Sequence, residues 1–389
     1  MAILNSIAKM KTEMTQWRKY LHTIPELGFK EFKTSEFICN KLDEWGISYE
    51  KNIAKTGIVA QITGNKGNSD NAIGLRADID ALPIQEKNSF EHKSTNEGVS
   101  HKCGHDGHTT LLLGAAKYLS ENPDFNGKVN LIFQPAEEGG GGADVMIKEG
   151  LLEKYPMSKV FGMHNWPETP IGKFSICSGP IMAAVNTVQI KVKGKGGHAA
   201  MPHQAIDPII VSSQIISALQ TISSRTLDPL DNIVLSITQF HAGTTHNVIP
   251  DEVFLEGTLR TLNEKTKKIA IDRINEISSN IAKSFSATAS VYIEKGYPYT
   301  HNSENETKIA ADVAAKIVGE DNVIRNMKPV MGSEDFSFML NKVPGSYICI
   351  GQGDSKHKIA VHNAEYDFND EILPIGSSYW VELVKHLLK

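Results

Sequence analysis

Cysteine is scarce. The chain has four in 389 residues (Cys39, Cys103, Cys177 and Cys349), and they are widely spaced. That pattern excludes a disulfide framework and reads as reduced thiols, so a cytoplasmic protein is expected. No second cysteine pair accompanies Cys103, which excludes a zinc ribbon. No apolar run approaches the roughly 18 residues that a membrane-spanning helix needs. The N-terminus meets Lys9 and Lys11 before a run of signal-peptide length develops. There is no block of five Lys or Arg, and the net charge is −5. Nucleic acid needs an excess of basic side chains, so neither it nor a membrane is an expected partner.

What is present suits a globular chain, with 40% apolar and 22% charged residues and no low-complexity tract. At this length two domains are expected, since one typically takes about 100–200 residues. Ile3, Ile7, Met10, Met14, Trp17 and Leu21 recur at helical spacing, so an amphipathic helix opens the chain, followed by a second over 31–45. β-Rich runs at 57–62, 72–76, 129–133 and 160–163 then alternate with helical stretches at 109–119 and 143–152. This is the order of an α/β domain with a mixed, mostly parallel sheet. From about residue 182 the order becomes β-α-β-β-α-β, that of a ferredoxin-like α+β unit. After 295 the α/β pattern resumes. The reading is a discontinuous larger domain, 1–181 and 295–389, with a smaller domain inserted over 182–294. One large continuous sheet is the alternative.

The strongest local signal is Cys103-Gly-His105-Asp-Gly-His108-Thr, just before an apolar helix expected from Thr109. Thiolate and imidazole are preferred donors to zinc-like ions, and i, i+2 spacing on extended chain points both at one site. Lys102 precedes the thiol, and its charge is expected to favour thiolate. Gln134-Pro-Ala-Glu137-Glu138 follows a strand, where α/β sheets gather ligand sites. Of two adjacent carboxylates there, one can bind metal while the other takes a proton from water. His164 and His362 each follow a short β-like run. Taken singly, a histidine of that kind is more often structural. The tract 139–142 is Gly-rich but lacks G-x-G-x-x-G spacing, so a nucleotide site is weakly supported.

The number of donors decides the nuclearity expected. A single catalytic zinc-like ion takes three protein ligands. Five exceed that, and thiolate can bridge, so two divalent ions roughly 3.5–4 Å apart are expected, lowering the pKa of a shared water towards about 7. Manganese, zinc, cobalt and nickel all tolerate such a set.

Arg76-Ala-Asp78-Ile-Asp80-Ala-Leu-Pro83, Cys103-Gly-His-Asp-Gly-His-Thr109, Gln134-Pro-Ala-Glu-Glu-Gly139 and Gly332-Ser-Glu-Asp-Phe336 resemble the aminoacylase/carboxypeptidase G superfamily of metallopeptidases. Within it they are most similar to the branch of hippurate hydrolases, indole-acetyl-amino-acid hydrolases and N-acetyldiaminopimelate deacetylases. The resemblance runs from His22-Thr-Ile-Pro-Glu-Leu-Gly28 to the segment of His362. It implies hydrolysis of N-acyl amino acids at a dinuclear centre held by Cys103, His105, Glu138, His164 and His362, with Glu137 as general base. Asp80 falls on the aspartate that orients a metal-binding histidine, whose own place is taken here by Asp78. His198, in Gly196-Gly-His198-Ala-Ala-Met-Pro202, matches a lid histidine that crosses a homodimer interface to the oxyanion, and Asn247 matches an asparagine of the same role. Arg260 is placed to bind the substrate carboxylate. Ser100-His-Lys102 departs from the family, where apolar or small residues precede the cysteine, and is expected to tune the site. A dipeptidase or aminopeptidase on the same scaffold, or a non-catalytic metal-binding protein, are the competing functions.

Overall fold

The computed structural model describes residues 1–389, which form two compact units. The larger takes Met1–Ile181, His301–Lys328 and Asp335–Lys389; the smaller takes Met182–Thr300 and Pro329–Glu334. The six residues Pro329–Glu334 thus leave the flanking chain and cluster with the smaller unit, which a reading of consecutive elements does not reveal. Ala183 N donates to Gly332 O at 2.8 Å, which ties them there.

The larger unit is built on an eight-stranded sheet in the order Ser48–Ile53, Gly57–Thr63, Lys128–Gln134, Ala72–Asp78, Lys159–Pro170, Gly345–Gly353, Phe174–Ser175, Val323–Ile324. The third to sixth of these run parallel to one another, and the sheet is mixed towards both edges. Every residue of Ala72–Asp78 is buried, as expected of a parallel strand covered on both faces. Helices Lys11–Thr23, His105–Glu121 and Leu373–Leu387 pack together beside the sheet. Small residues allow the close crossings: a Cβ at Gly376 would lie 2.6 Å from Leu111 Cδ2. The opening helix is broken at Met10 into Asn5–Lys9 and Lys11–Thr23.

In the smaller unit four antiparallel strands stand in the order Ile233–Ala242, Glu252–Thr261, Ala184–Lys193, Thr288–Lys295, giving the ferredoxin-like arrangement. Ala184–Lys193 buries alternate residues, so Val188, Ile190 and Val192 face Val211, Ile215 and Ile274 of the two helices. Those helices begin where the local chemistry dictates. Asp207 caps Pro208–Leu219 by accepting from Ile209 N at 2.9 Å, and Asn263 caps Glu264–Ser284 by accepting from Thr266 N at 2.8 Å. No helix of the chain is long and apolar enough to cross a membrane.

Candidate metal centre

The donors collect at the carboxyl ends of the central parallel strands, where an open α/β sheet leaves backbone free to turn towards a ligand. Gly104, with φ +96°, carries the chain from Cys103 into the helix. A Cβ there would lie 2.8 Å from Tyr366 Oη, so both conformation and space require glycine. The helix starts at His105, four residues before Thr109, so His105 and His108 lie on its first turn and not on extended chain. Their apolar continuation hid this start, because the histidines themselves are buried there.

After Lys128–Gln134 the chain turns through Ala136, a non-glycine residue at φ +54°. That turn is pinned by Glu31, whose carboxylate accepts from Ala136 N at 2.9 Å and from Thr56 Oγ1 at 2.5 Å. Burial raises the pKa of Glu31 above the ordinary carboxylate range. Glu137 and Glu138 follow directly. His164 sits inside the long strand Lys159–Pro170, opposite Cys349, and not beyond a strand end as its sequence context suggests. His362 reaches the cluster from an irregular segment and holds φ +64°.

Cys103, His105 and His164 form one triad of donors, and Cys103, Glu138 and His362 form another, each with donor atoms within 4.8 Å of one another. Cys103 is common to both. Its Sγ lies 3.3 Å from His164 Nε2. His164 Nδ1 donates to the Asn165 carbonyl at 2.6 Å, which leaves Nε2 bare and facing the sulfur. His105 Nδ1 lies 3.2 Å from Asp80 Oδ1, and the other oxygen of Asp80 accepts from Glu138 N at 2.9 Å. His362 Nε2 is 3.2 Å from Glu138 Oε1. Buried His105 Nε2 makes no hydrogen bond and lies 3.9 Å from Glu138 Oε1, an arrangement that a cation between them would satisfy. His105, Glu137 and Glu138 also stand within 4.8 Å, so both carboxylates reach the cluster.

Charge around the cluster is arranged for a cation. Burial disfavours protonation of His105, but Asp78, Asp80 and Glu138 outweigh it and raise its pKa to about 10. Burial and the nearby carboxylates push the Cys103 thiol well above its ordinary value. Lys102 does not offset this, because its ammonium points to Glu86 and the Tyr366 carbonyl. A bound divalent ion, the usual way to hold a thiolate in such surroundings, would reverse that balance.

Behind the donors lies a buried frame built on Arg76, Gln134 and Asp335, residues to which the sequence attaches no role. Arg76 donates to Gln134 Oε1 at 2.8 Å, Asp78 Oδ2 at 2.7 Å and Asp335 Oδ1 at 3.0 Å. Asp335 also accepts from Gln134 Nε2 and from Ala143 N. Asp78 Oδ1 lies 2.6 Å from His108 Nδ1, and His108 Nε2 is 2.7 Å from Asn165 Oδ1. Both oxygens of Asp78 are thereby engaged. Arg76 and Gln134 lie within motifs that carry candidate residues, which was the available signal, whereas Asp335 lies in Gly332–Phe336, a motif that carries none. Their convergence is a tertiary fact.

In the smaller unit His198 and Asn247 are neighbours. His198 pairs with Val248 in a two-stranded ribbon, and Ala199 N donates to Asn247 O at 3.0 Å. His198 Nδ1 accepts from Ala200 N at 3.1 Å, which leaves Nε2–H as an exposed donor. Arg260 lies on Glu252–Thr261 and donates to Met331 O at 2.9 Å; burial lowers its pKa.

The model of Peptidase family M20/M25/M40 matches residues 74–386, and the chain belongs to that family. It is 41% identical to hippurate hydrolase of Campylobacter jejuni over 389 residues, the whole of both chains. It is 39% identical to N-acetyl-L-cysteine deacetylase of Bacillus subtilis, over 98% of this chain and 90% of that protein. The crystal structure of the Bacillus subtilis YXEP protein, described as a dinuclear metal binding peptidase of the M20 family, superposes with a TM-score of 0.86 at 33% identity. That match covers 98% of this chain and 99% of that one.

Proposed function

We propose that this chain hydrolyses the amide bond of N-acyl amino acids, with two divalent cations held by Cys103, His105, Glu138, His164 and His362. One observation carries the reading: two donor triads drawn from four separate segments share Cys103, with Glu137 beside them. The relatives named for hippurate and N-acetyl-cysteine support the substrate class. A thiolate, three imidazoles and a carboxylate suit zinc, manganese, cobalt or nickel.

Bound cations of this kind polarise a carbonyl and acidify water. Glu137 takes a proton from the attacking water as its oxygen bonds to the acyl carbon. The carbon–nitrogen bond then breaks, and Glu137 returns the proton to the leaving nitrogen, releasing a carboxylic acid and a free amino acid. Asp80 orients His105 and the amide of Glu138. His198 Nε2–H and Asn247 are assigned to the oxyanion, His198 from the second subunit of a homodimer formed through the smaller unit. Arg260 is assigned to the carboxylate of the amino acid. The four cysteines are all free, which suits a reducing compartment such as the cytoplasm.

The deciding experiment strips the metal with a chelator, restores single divalent ions, and assays acetyl-, benzoyl- and free-amine substrates. Hydrolysis of the acylated members only after ion restoration is expected. Activity that survives complete chelation overturns the reading, and preference for free-amine substrates transfers it to an aminopeptidase.

A further inference from the structure

Lys102 lies directly between His101 and Cys103, yet it is fully buried and its charge is directed away from the thiol. Its Nζ donates to Glu86 Oε1 at 2.6 Å and to the Tyr366 carbonyl at 2.9 Å. Its own carbonyl accepts from His362 N at 2.6 Å. One residue therefore grips both ends of the turn 362–366. The grip answers a need of that turn. His362 is held in a left-handed conformation that side chains disfavour, and its imidazole is 52% exposed, so packing does little to fix it. Neighbouring bonds follow the same path: Lys87 N donates to Ala364 O at 3.0 Å, and Asn88 Nδ2 donates to Tyr366 O at 3.1 Å.

The far end of the grip is also anchored. Glu86 accepts from Ser94 N at 2.6 Å and from Asn88 Nδ2 at 3.1 Å, and lies 3.1 Å from His22 Nε2. His22 is in turn 2.8 Å from Asp106, on the first turn of the helix that begins with His105. Lys102 thus ties the segment of His362 to the same stretch of chain that carries Cys103 and His105.

We infer that Lys102 is a positioning residue for His362, and through it sets the cation affinity of the Cys103–Glu138–His362 half of the cluster. This rests on the proposed reading that this half holds a cation. The substitution of interest is Lys102→Met, which keeps the backbone carbonyl but removes the donor to Tyr366.

The test is a calorimetric titration of the full chain, stripped of metal, with cobalt(II). Wild type should show two binding steps, and His362→Ala should weaken one. If His362→Ala leaves both steps intact, the reading of the site fails, independently of Lys102. Lys102→Met is expected to weaken that same step about 10- to 100-fold, leaving the other unchanged. The double variant Lys102→Met/His362→Ala should bind no more weakly than His362→Ala alone, because the two act through one group. Lys102→Arg, which retains donors, should recover much of the loss. Additive losses, equal weakening of both steps, or a wild-type titration in Lys102→Met would overturn the inference. Should the single variant fail to fold with Glu86 left unpaired, Lys102→Met/Glu86→Gln enters the same cycle. Failure of both to fold would make Lys102 a folding requirement and likewise overturn its positioning role.

Discussion

Asp80 and Glu138 are joined by a 2.9 Å hydrogen bond in which the backbone amide of Glu138 donates to Asp80 Oδ2. The other oxygen of Asp80 faces His105 Nδ1 at 3.2 Å, so one carboxylate aligns two donors of the cluster. Asp80→Asn is expected to weaken cation binding by about 10- to 100-fold, because the amide both misorients His105 and loses charge. Chelator competition measures this. Wild-type affinity in the variant would remove Asp80 from the orienting role.

Glu137 makes the contrasting prediction. Glu137→Gln is expected to leave cation content at the wild-type level while turnover falls by about 10²- to 10⁴-fold, the usual range for a lost general base. Metal analysis and steady-state rates on one preparation separate the two effects. Undiminished turnover would show that another group moves the proton.

Cation binding should be steeply pH-dependent. Near neutrality His105, with a pKa of about 10 in the free protein, and Cys103, raised above its ordinary value, both carry protons that a cation must displace. Affinity should therefore rise with pH by up to about two decades per unit. Proton release measured in two buffers of different ionisation enthalpy checks this. Binding without proton release would contradict it.

Arg76 tests the frame behind the donors. It is fully buried between Asp78 and Asp335, so Arg76→Met removes a guanidinium that pairs with two buried carboxylates. Removing one partner of a buried pair costs about 3–5 kcal/mol. Urea unfolding should show a loss of that order, and a loss below about 1 kcal/mol would show that water or rearrangement compensates.

His22 and Asp106 should bracket the pH range of maximal stability. Burial opposes the charge of each. Even so, bonds to Asp106 and Glu86 raise the pKa of His22, while His22 and Arg18 lower that of Asp106. The histidine term is complete below about 6.5 and is lost as pH rises through the raised folded value. The aspartate term is complete above about 4 and is lost as pH falls through the depressed folded value. His22→Gln should then cost most stability near pH 6, with the deficit narrowing as pH rises. Urea midpoints across pH would reveal a constant deficit if the pair is electrostatically silent.

Much of the fold was legible because its elements repeat a local rule. Alternation along Ala184–Lys193 and near-continuous apolar character in Lys128–Gln134 reflect one covered face and two, respectively. Element boundaries at the cluster were not. The helix begins at His105 although buried histidines break the apolar pattern, and His164 lies within a strand because Lys159–Pro170 runs on beside Gly345–Gly353.

The sequence by itself determined which candidate donors exist: residue type and spacing mark Cys103 and His105, while the Glu137–Glu138 pair and the histidines 164 and 362 stand out only through their place after β-like runs and the family resemblance. Parallel strands also dictate that segments ending at Asp78 and Gln134 emerge on one side of the sheet. Only the tertiary structure decided how those donors are divided and held. Cys103 is shared by two triads, Asp80 spans His105 and Glu138, and Lys102 turns from the thiol to the His362 segment. The reason is physical. Local propensity acts over a few residues, whereas these bonds join positions from about 25 to more than 250 residues apart, which only the packed core brings within 3 Å or so.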